Sequence, residues 1–176
     1  MKKIILGISS SIAAYKACDL IRLFVKGGYS VNVVVTENAL HLVSPLTLET
    51  LSGNPVYSAQ YSRERREMGH IELKADASLF LVAPATANII GKFAGGIADD
   101  LLSTTFLSVT CPVMIAPAMN PNMYLHPAVR RNIEILKGWG VTFIEPASGE
   151  VVCGDEGMGK LADVDEIYRA AVNAIK

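Results

Sequence analysis

The chain has few cysteines, and none are paired. Cys18, Cys111 and Cys153 are the only three in 176 residues and form no CxxC motif, so neither a disulfide framework nor a metal site is expected. Their odd number, with no signal peptide to imply export, fits reduced thiols in the cytoplasm. The opening Met1-Lys2-Lys3 has the charge of a signal start, but the apolar run after it stops at Gly7. No apolar stretch reaches the ~18–20 residues needed to cross a bilayer. Charge of one sign is also missing: the formal net charge is −1, which offers no electrostatic footprint for nucleic acid or anionic lipid. GxGxxG and GxxxxGK[ST] are both absent, so neither a dinucleotide nor a triphosphate is favoured.

What remains is apolar and periodic. Hydrophobic residues make up 51% of the chain, which argues against disorder. Short Ile/Leu/Val runs at Ile4–Ile8, Val31–Val35, Leu79–Ala83, Val113–Ala116 and Val141–Ile144 read as buried strands. Longer amphipathic segments separate them. A four-turn helix is expected after Ser11, with Ala13, Ala17, Leu20 and Phe24 on one stripe. Ser44-Pro45 predicts a capped short helix. Further helices are expected over 85–107, interrupted near Gly95-Gly96, from Pro127 to Gly138, and from Val164 to about Ile175. The polar stretch from Gly53 to Met68 carries no assignment. The alternation predicts one domain over 1–176, an α/β three-layer parallel sheet covered on both faces.

In such sheets ligands bind beyond the carboxyl ends of the strands, and the unusual residues collect there. Gly7-Ile8-Ser9-Ser10-Ser11 lies on a strand-to-helix turn, where hydroxyls and free amides can hold a phosphate. Taken alone it is also an ordinary serine cap. The segment 116–124, Ala-Pro-Ala-Met-Asn-Pro-Asn-Met-Tyr, follows a strand and reads either as an Asn-Pro turn or as a site. The segment 149–160 places four glycines around Cys153. It reads as a flexible surface loop or as a mobile lid carrying a thiol. His70 is a surface histidine or a catalytic one, whereas His41 and His126 carry no functional signal.

Taken in order, these motifs resemble the homo-oligomeric flavin-containing cysteine decarboxylases. The resemblance runs from Ile4 to about Asp163. It rests on the Gly7–Lys16 turn, His70-Ile71, Pro117-Ala118-Met119-Asn120-x-x-Met123, and Cys153-Gly154-Asp155-x-Gly157-x-Gly159. Ala83-Pro84-Ala85-Thr86-Ala87-Asn88 matches the family's flavin segment, and Ala98-Asp99-Asp100-Leu101-Leu102 follows it. Tyr124 departs from the tryptophan common after the second methionine, which bears on packing at the substrate site.

The resemblance implies a doubly wound, flavodoxin/Rossmann-like fold and FMN as cofactor. It places Gly7, Ser9, Ser10 and Thr36 near the flavin phosphate and ribityl chain, and Thr86, Asn88 and Ala118 near the ring. It implies decarboxylation of 4'-phospho-N-pantothenoylcysteine in coenzyme A biosynthesis, through thioaldehyde and enethiol intermediates. His70, Asn120 and Cys153 are the expected catalytic residues. Asn120 and Met123 are expected at the substrate, with Lys160 at its phosphate. The implied assembly is a homotrimer or dodecamer with sites between subunits, and many bacterial relatives add a phosphopantothenate–cysteine ligase domain. Three rival expectations follow from the same resemblance: a peptidyl-cysteine decarboxylase, a flavin prenyltransferase, and a flavin-binding regulatory subunit without turnover. Cys153 argues against the first, the combined motifs against the second, and His70, Asn120 and Cys153 together against the third.

Overall fold

The computed structural model describes residues 1–61, 69–150 and 156–175. Its main sheet contains β1 (Lys3–Ile8), β2 (Ser30–Val35), β3 (Ala77–Ala85), β4 (Val113–Pro117) and the two-residue β5 (Thr142–Phe143). They lie in the order β2-β1-β3-β4-β5, and every pairing is parallel. Ile4 sits opposite Val31 on one side and Leu79 on the other.

Side chains alternate between the faces of a strand, and that alternation divides the core in two. Ile4, Leu6 and Ile8 enter one layer with Leu20 and Phe24 of α1 (Ala17–Lys26) and Ile167 and Ala171 of α8 (Val164–Ala174). Leu48 of α2 (Pro45–Ser52) joins them. Ile5, Phe80 and Val82 enter the other layer with Phe93 of α4 (Ala87–Gly95), Leu101 and Leu102 of α5 (Leu101–Ser108), and Ile133 and Leu136 of α7 (Pro127–Gly138). Each fully buried side chain of this size is worth roughly 1.5–3 kcal/mol. The result is a three-layer, doubly wound α/β sheet with flavodoxin-like strand order, whose topological switch point lies between β1 and β3.

The structure departs from the sequence-based expectations at several places. The helix after Ser11 begins as a 3₁₀ turn, Ile12–Lys16, before α1 takes over. Ser11 does cap that turn, accepting from the Ala13 N–H at 3.4 Å. The Ser44 hydroxyl, by contrast, makes no capping bond. β3 continues through Pro84 to Ala85, with a register shift between Val82 and Ala85 where the proline cannot donate to the ladder. The strand expected over 141–144 is reduced to Thr142–Phe143.

Two α-helices and two strands among the described residues were not expected from the sequence. They are α3 (Gly69–Lys74), α6 (Pro121–Leu125), and an antiparallel hairpin of β6 (Ala147–Glu150) and β7 (Glu156–Lys160). The hairpin strands cover 149–150 and 156–160 of the segment read from sequence as a surface loop or a lid. Glycines at 149, 157 and 159 have φ of 148°, 151° and 148°, values that side-chain-bearing residues rarely adopt.

Candidate active site

Two hollows open at the carboxyl edge of the sheet and meet at Ser10 and Thr86. The larger, about 770 Å³, lies among the Ile12–Lys16 turn, the segment after β4 and the end of β7. Ala118, Asn120, Met123 and Lys160 line it. The smaller, about 230 Å³, is walled by Ser9, Thr36, Asn88 and Lys92 with Glu37, Asp99 and Asp100. Their combined size suits a cofactor with a substrate beside it.

Ser9 holds the switch point together. It is 2% exposed, and its hydroxyl donates to the Pro84 carbonyl and accepts from the Thr86 N–H, both at 2.9 Å. Thr86 in turn caps α4, its Oγ1 accepting from Ile89 N–H at 3.4 Å. The α4 N-terminus, with its partial positive charge, therefore points to the junction of the two hollows. Ser10 is exposed there.

Thr36 differs from both. Its Oγ1 is buried and has no hydrogen-bond partner among the described residues, although the side chain borders the smaller hollow. A buried, unsatisfied hydroxyl costs ~1–3 kcal/mol. A ligand oxygen in that hollow would remove the cost.

Lys92 reaches across the same hollow to Asp99 Oδ1 at 2.7 Å and Asp100 Oδ2 at 2.6 Å. Asp100 also caps α5 through a reciprocal pair with Ser103. Burial alone would raise the Asp100 pKa, but the bonds from Lys92 and Ser103 outweigh it and hold the carboxyl below its usual range. The same pairing raises the Lys92 ammonium against the opposing effect of burial.

Asn120 opens α6. Its Oδ1 accepts from the Asn122 N–H at 2.8 Å, which fixes which end of the amide is the oxygen and which the donor. Met123, one turn on, is 47% exposed at the rim of the larger hollow. β7 lies against this segment, with Met119 N–H donating to the Gly159 carbonyl at 2.9 Å.

The expected site residues do not all converge. Ser9, Ser10, Thr36, Thr86 and Asn88 border the smaller hollow, and Ala118, Asn120, Met123 and Lys160 the larger. Gly7 borders neither; a Cβ there would meet Leu102 Cδ1 at 2.5 Å, so it serves the contact between β1 and α5. His70 also borders neither. It lies on α3, whose Leu73 packs into the layer opposite the one that Ala14 of the 3₁₀ turn enters. His70 Nδ1 is buried without a hydrogen-bond partner among the described residues. Cys153 lies outside the described residues.

Tyr124 borders neither hollow. It is 2% exposed, its hydroxyl donates to Glu145 Oε2 at 2.9 Å, and burial followed by that bond pushes its pKa up to about 12. Lys16, Tyr15 and Leu161 border the larger hollow without having been singled out from sequence. Lys16 ends the serine motif, but only the turn of the 3₁₀ helix brings it to the wall.

Comparison with known proteins agrees with the fold. The flavoprotein family profile matches residues 1–176. The chain belongs to the flavoprotein family. This flavoprotein is 47% identical over 171 residues to the coenzyme A biosynthesis bifunctional protein CoaBC of Bacillus subtilis, covering 97% of the chain and 42% of that protein. It thus spans about two fifths of the bifunctional relative's length. It is 46% identical over 171 residues to the probable phosphopantothenoylcysteine decarboxylase of Streptococcus mutans, with 96% of each chain covered. Among solved structures, a PPC decarboxylase mutant with cysteine replaced by serine, complexed with pantothenoylaminoethenethiol, superposes with a TM-score of 0.86. That match has 31% identity over 98% of this chain and 97% of the other.

Proposed function

We propose that the chain is an FMN-dependent decarboxylase acting on 4'-phospho-N-pantothenoylcysteine to give 4'-phosphopantetheine. The observation that carries this reading is the pair of joined hollows at the switch point, one polar with an orphaned Thr36 hydroxyl and one bordered by the Asn120 amide. It is supported by 46% identity over nearly the full length of a probable phosphopantothenoylcysteine decarboxylase.

The donor set suits FMN. Thr36 and Ser10 offer hydroxyls, the α4 N-terminus offers amides, and Ser9 fixes the strand ends that present them. On this reading Ser9 shapes the phosphate and ribityl side, and Thr86, Asn88 and Ala118 border the ring. When bound, FMN supplies reversible hydride acceptance at the thiol-bearing carbon, so the net reaction is redox-neutral.

The protein's own groups bind and move protons. Asn120 donates amide hydrogens to the substrate carboxylate without neutralising it. An arginine there would stabilise the anionic ground state and oppose loss of neutral carbon dioxide. His70 assists loss of the thiol proton, whose free pKa lies near ~8.5. Cys153 protonates the product in the second half-reaction. On this reading Lys160 meets the substrate phosphate.

His70 and Asn120 then serve one site from neighbouring subunits of a trimer. Two observations support that reading: His70 borders neither hollow of its own chain, and Ile12, Tyr15 and Met123 leave the rim apolar and exposed. A cytoplasmic location and, in a longer protein, an attached ligase domain belong to the same proposal. Release of labelled carbon dioxide from carboxyl-labelled substrate, dependent on FMN, tests the reading; its absence would refute it.

A further inference from the structure

β7 touches the Asn120 segment through backbone rather than side chains. Gly157 and Gly159 are two apart on a strand, so both face the same way, and that face is turned to 119–121. A Cβ at Gly157 would sit 2.9 Å from Pro121 Cβ. A Cβ at Gly159 would collide with the Met119 carbonyl oxygen and lie 3.3 Å from Pro121 N and 3.4 Å from Asn120 C. The N–H of Met119 closes the contact on the Gly159 carbonyl at 2.9 Å. Met158, between the glycines, is 39% exposed.

From this we infer that Gly159 is a positioning residue for Asn120: its missing side chain lets β7 clamp the backbone of 119–121, setting the reach of the Asn120 amide to a substrate carboxylate. The inference rests on the decarboxylase reading above. Asn120 occupies an N-cap whose following turn, Pro121–Leu125, is only five residues long, too short to hold its own direction by helix formation alone. The strand behind it supplies the missing constraint. Side-chain contacts could adjust by changing rotamer, whereas apposed backbone cannot. Displacing β7 by the width of one methyl group therefore turns the amide.

Gly149 provides the control. It pairs with Gly157 across the hairpin and has the same φ of 148° as Gly159, but no described atom lies within 4 Å of its Cβ position. Gly149→Ala imposes the backbone strain without the collision. The two variants are compared as FMN-loaded proteins by hydrogen exchange at the Met119 amide, KM for phosphopantothenoylcysteine, and Ki for phosphopantetheine, which lacks only the carboxylate.

In Gly159→Ala, Met119 exchange should accelerate by at least about tenfold as its bond opens. KM should rise by about tenfold while Ki stays unchanged, because only the carboxylate contact is lost. Gly149→Ala should leave all three near the unaltered values. A parallel rise in KM and Ki would overturn the proposal, since Gly159 would then only shape the hollow. Equal effects in both variants, or unaltered Met119 exchange in Gly159→Ala, would overturn it as well. If Gly159→Ala does not fold, Gly157→Ala, whose Cβ presses on the rigid Pro121 ring, should shift β7 less and give smaller rises in Met119 exchange and KM with Ki unchanged; no rise in either would overturn the proposal. Failure of the unaltered protein to turn over substrate would instead strike the decarboxylase reading, with Met119 exchange still reporting the clamp separately.

Discussion

The buried hydroxyl of Ser9 accepts the Thr86 N–H at 2.9 Å while donating to the Pro84 carbonyl at the same distance. One side chain thereby joins the carboxyl ends of β1 and β3 and occupies both of its own hydrogen-bonding functions. Among the described residues, the Thr36 hydroxyl beside the hollow is buried and has no hydrogen-bond partner.

Replacing Thr36 with valine should therefore separate binding from folding. A hydrogen bond to a charged ligand group is worth ~1.5–3 kcal/mol, so FMN affinity should fall about 10- to 100-fold. The apoprotein should lose no stability, because the orphaned hydroxyl goes with the mutation. Flavin titration of the apoprotein and its melting temperature check the two halves. Unchanged affinity would remove Thr36 from the cofactor site.

His70→Asn should keep flavin and assembly but leave the flavin oxidised when substrate is added. Mixed oligomers of His70→Asn and Asn120→Ala protomers should regain activity, since some sites would draw both intact residues from different chains. Light scattering should find a trimer or a multiple of three. Mixed oligomers as inactive as either parent would contradict a shared site.

The Asp100 carboxyl has a depressed folded pKa, so its contribution is present above the unfolded value and is lost as pH falls through the folded one. Asp100→Ala should cost about 1–2 kcal/mol at neutral pH, the usual cost of a lost cap. That difference should shrink as pH falls below about 4, the ordinary carboxylate value. Thermal unfolding across pH checks the trend. A difference that stays constant into strong acid would show that the Lys92 and Ser103 pairing contributes nothing.

Cys153→Ser should divide the reaction. A serine hydroxyl is a far weaker acid than a thiol, so the first half-reaction should proceed and the final protonation should not. Carbon dioxide should appear once per bound flavin, followed by a stall with reduced flavin. Anaerobic single-turnover spectra measure this. Normal turnover would remove Cys153 from the mechanism.

β1 to β4 were legible because each is centred on a short apolar run that a two-sided sheet buries, whereas β5 keeps only the exposed Thr142 and half-buried Phe143. Their carboxyl ends therefore located the hollows correctly. The hairpin was not legible. Gly149, Gly157 and Gly159 lower strand propensity, and what favours a strand there is close apposition to 119–121, a tertiary contact. α3 and α6 are too short to show a helical period. His126 carried no sequence signal, yet its Nδ1 accepts from Ala128 N–H at 3.2 Å and caps α7. The Lys92 pairing with Asp99 and Asp100 joins two helices across a turn and appears only once the fold is closed. Tyr124 sits within a site motif, but α6 turns its ring into the core. That His70 borders neither hollow of its own chain was equally invisible, because motif order along a sequence does not show which residues share a wall.

Mass analysis of the product decides whether the protein decarboxylates phosphopantothenoylcysteine. After incubation of the FMN-loaded protein with phosphopantothenoylcysteine, the product should be phosphopantetheine, lighter than the substrate by one carbon dioxide. Recovery of unchanged substrate from flavin-loaded, assembled protein would show that it is not this decarboxylase.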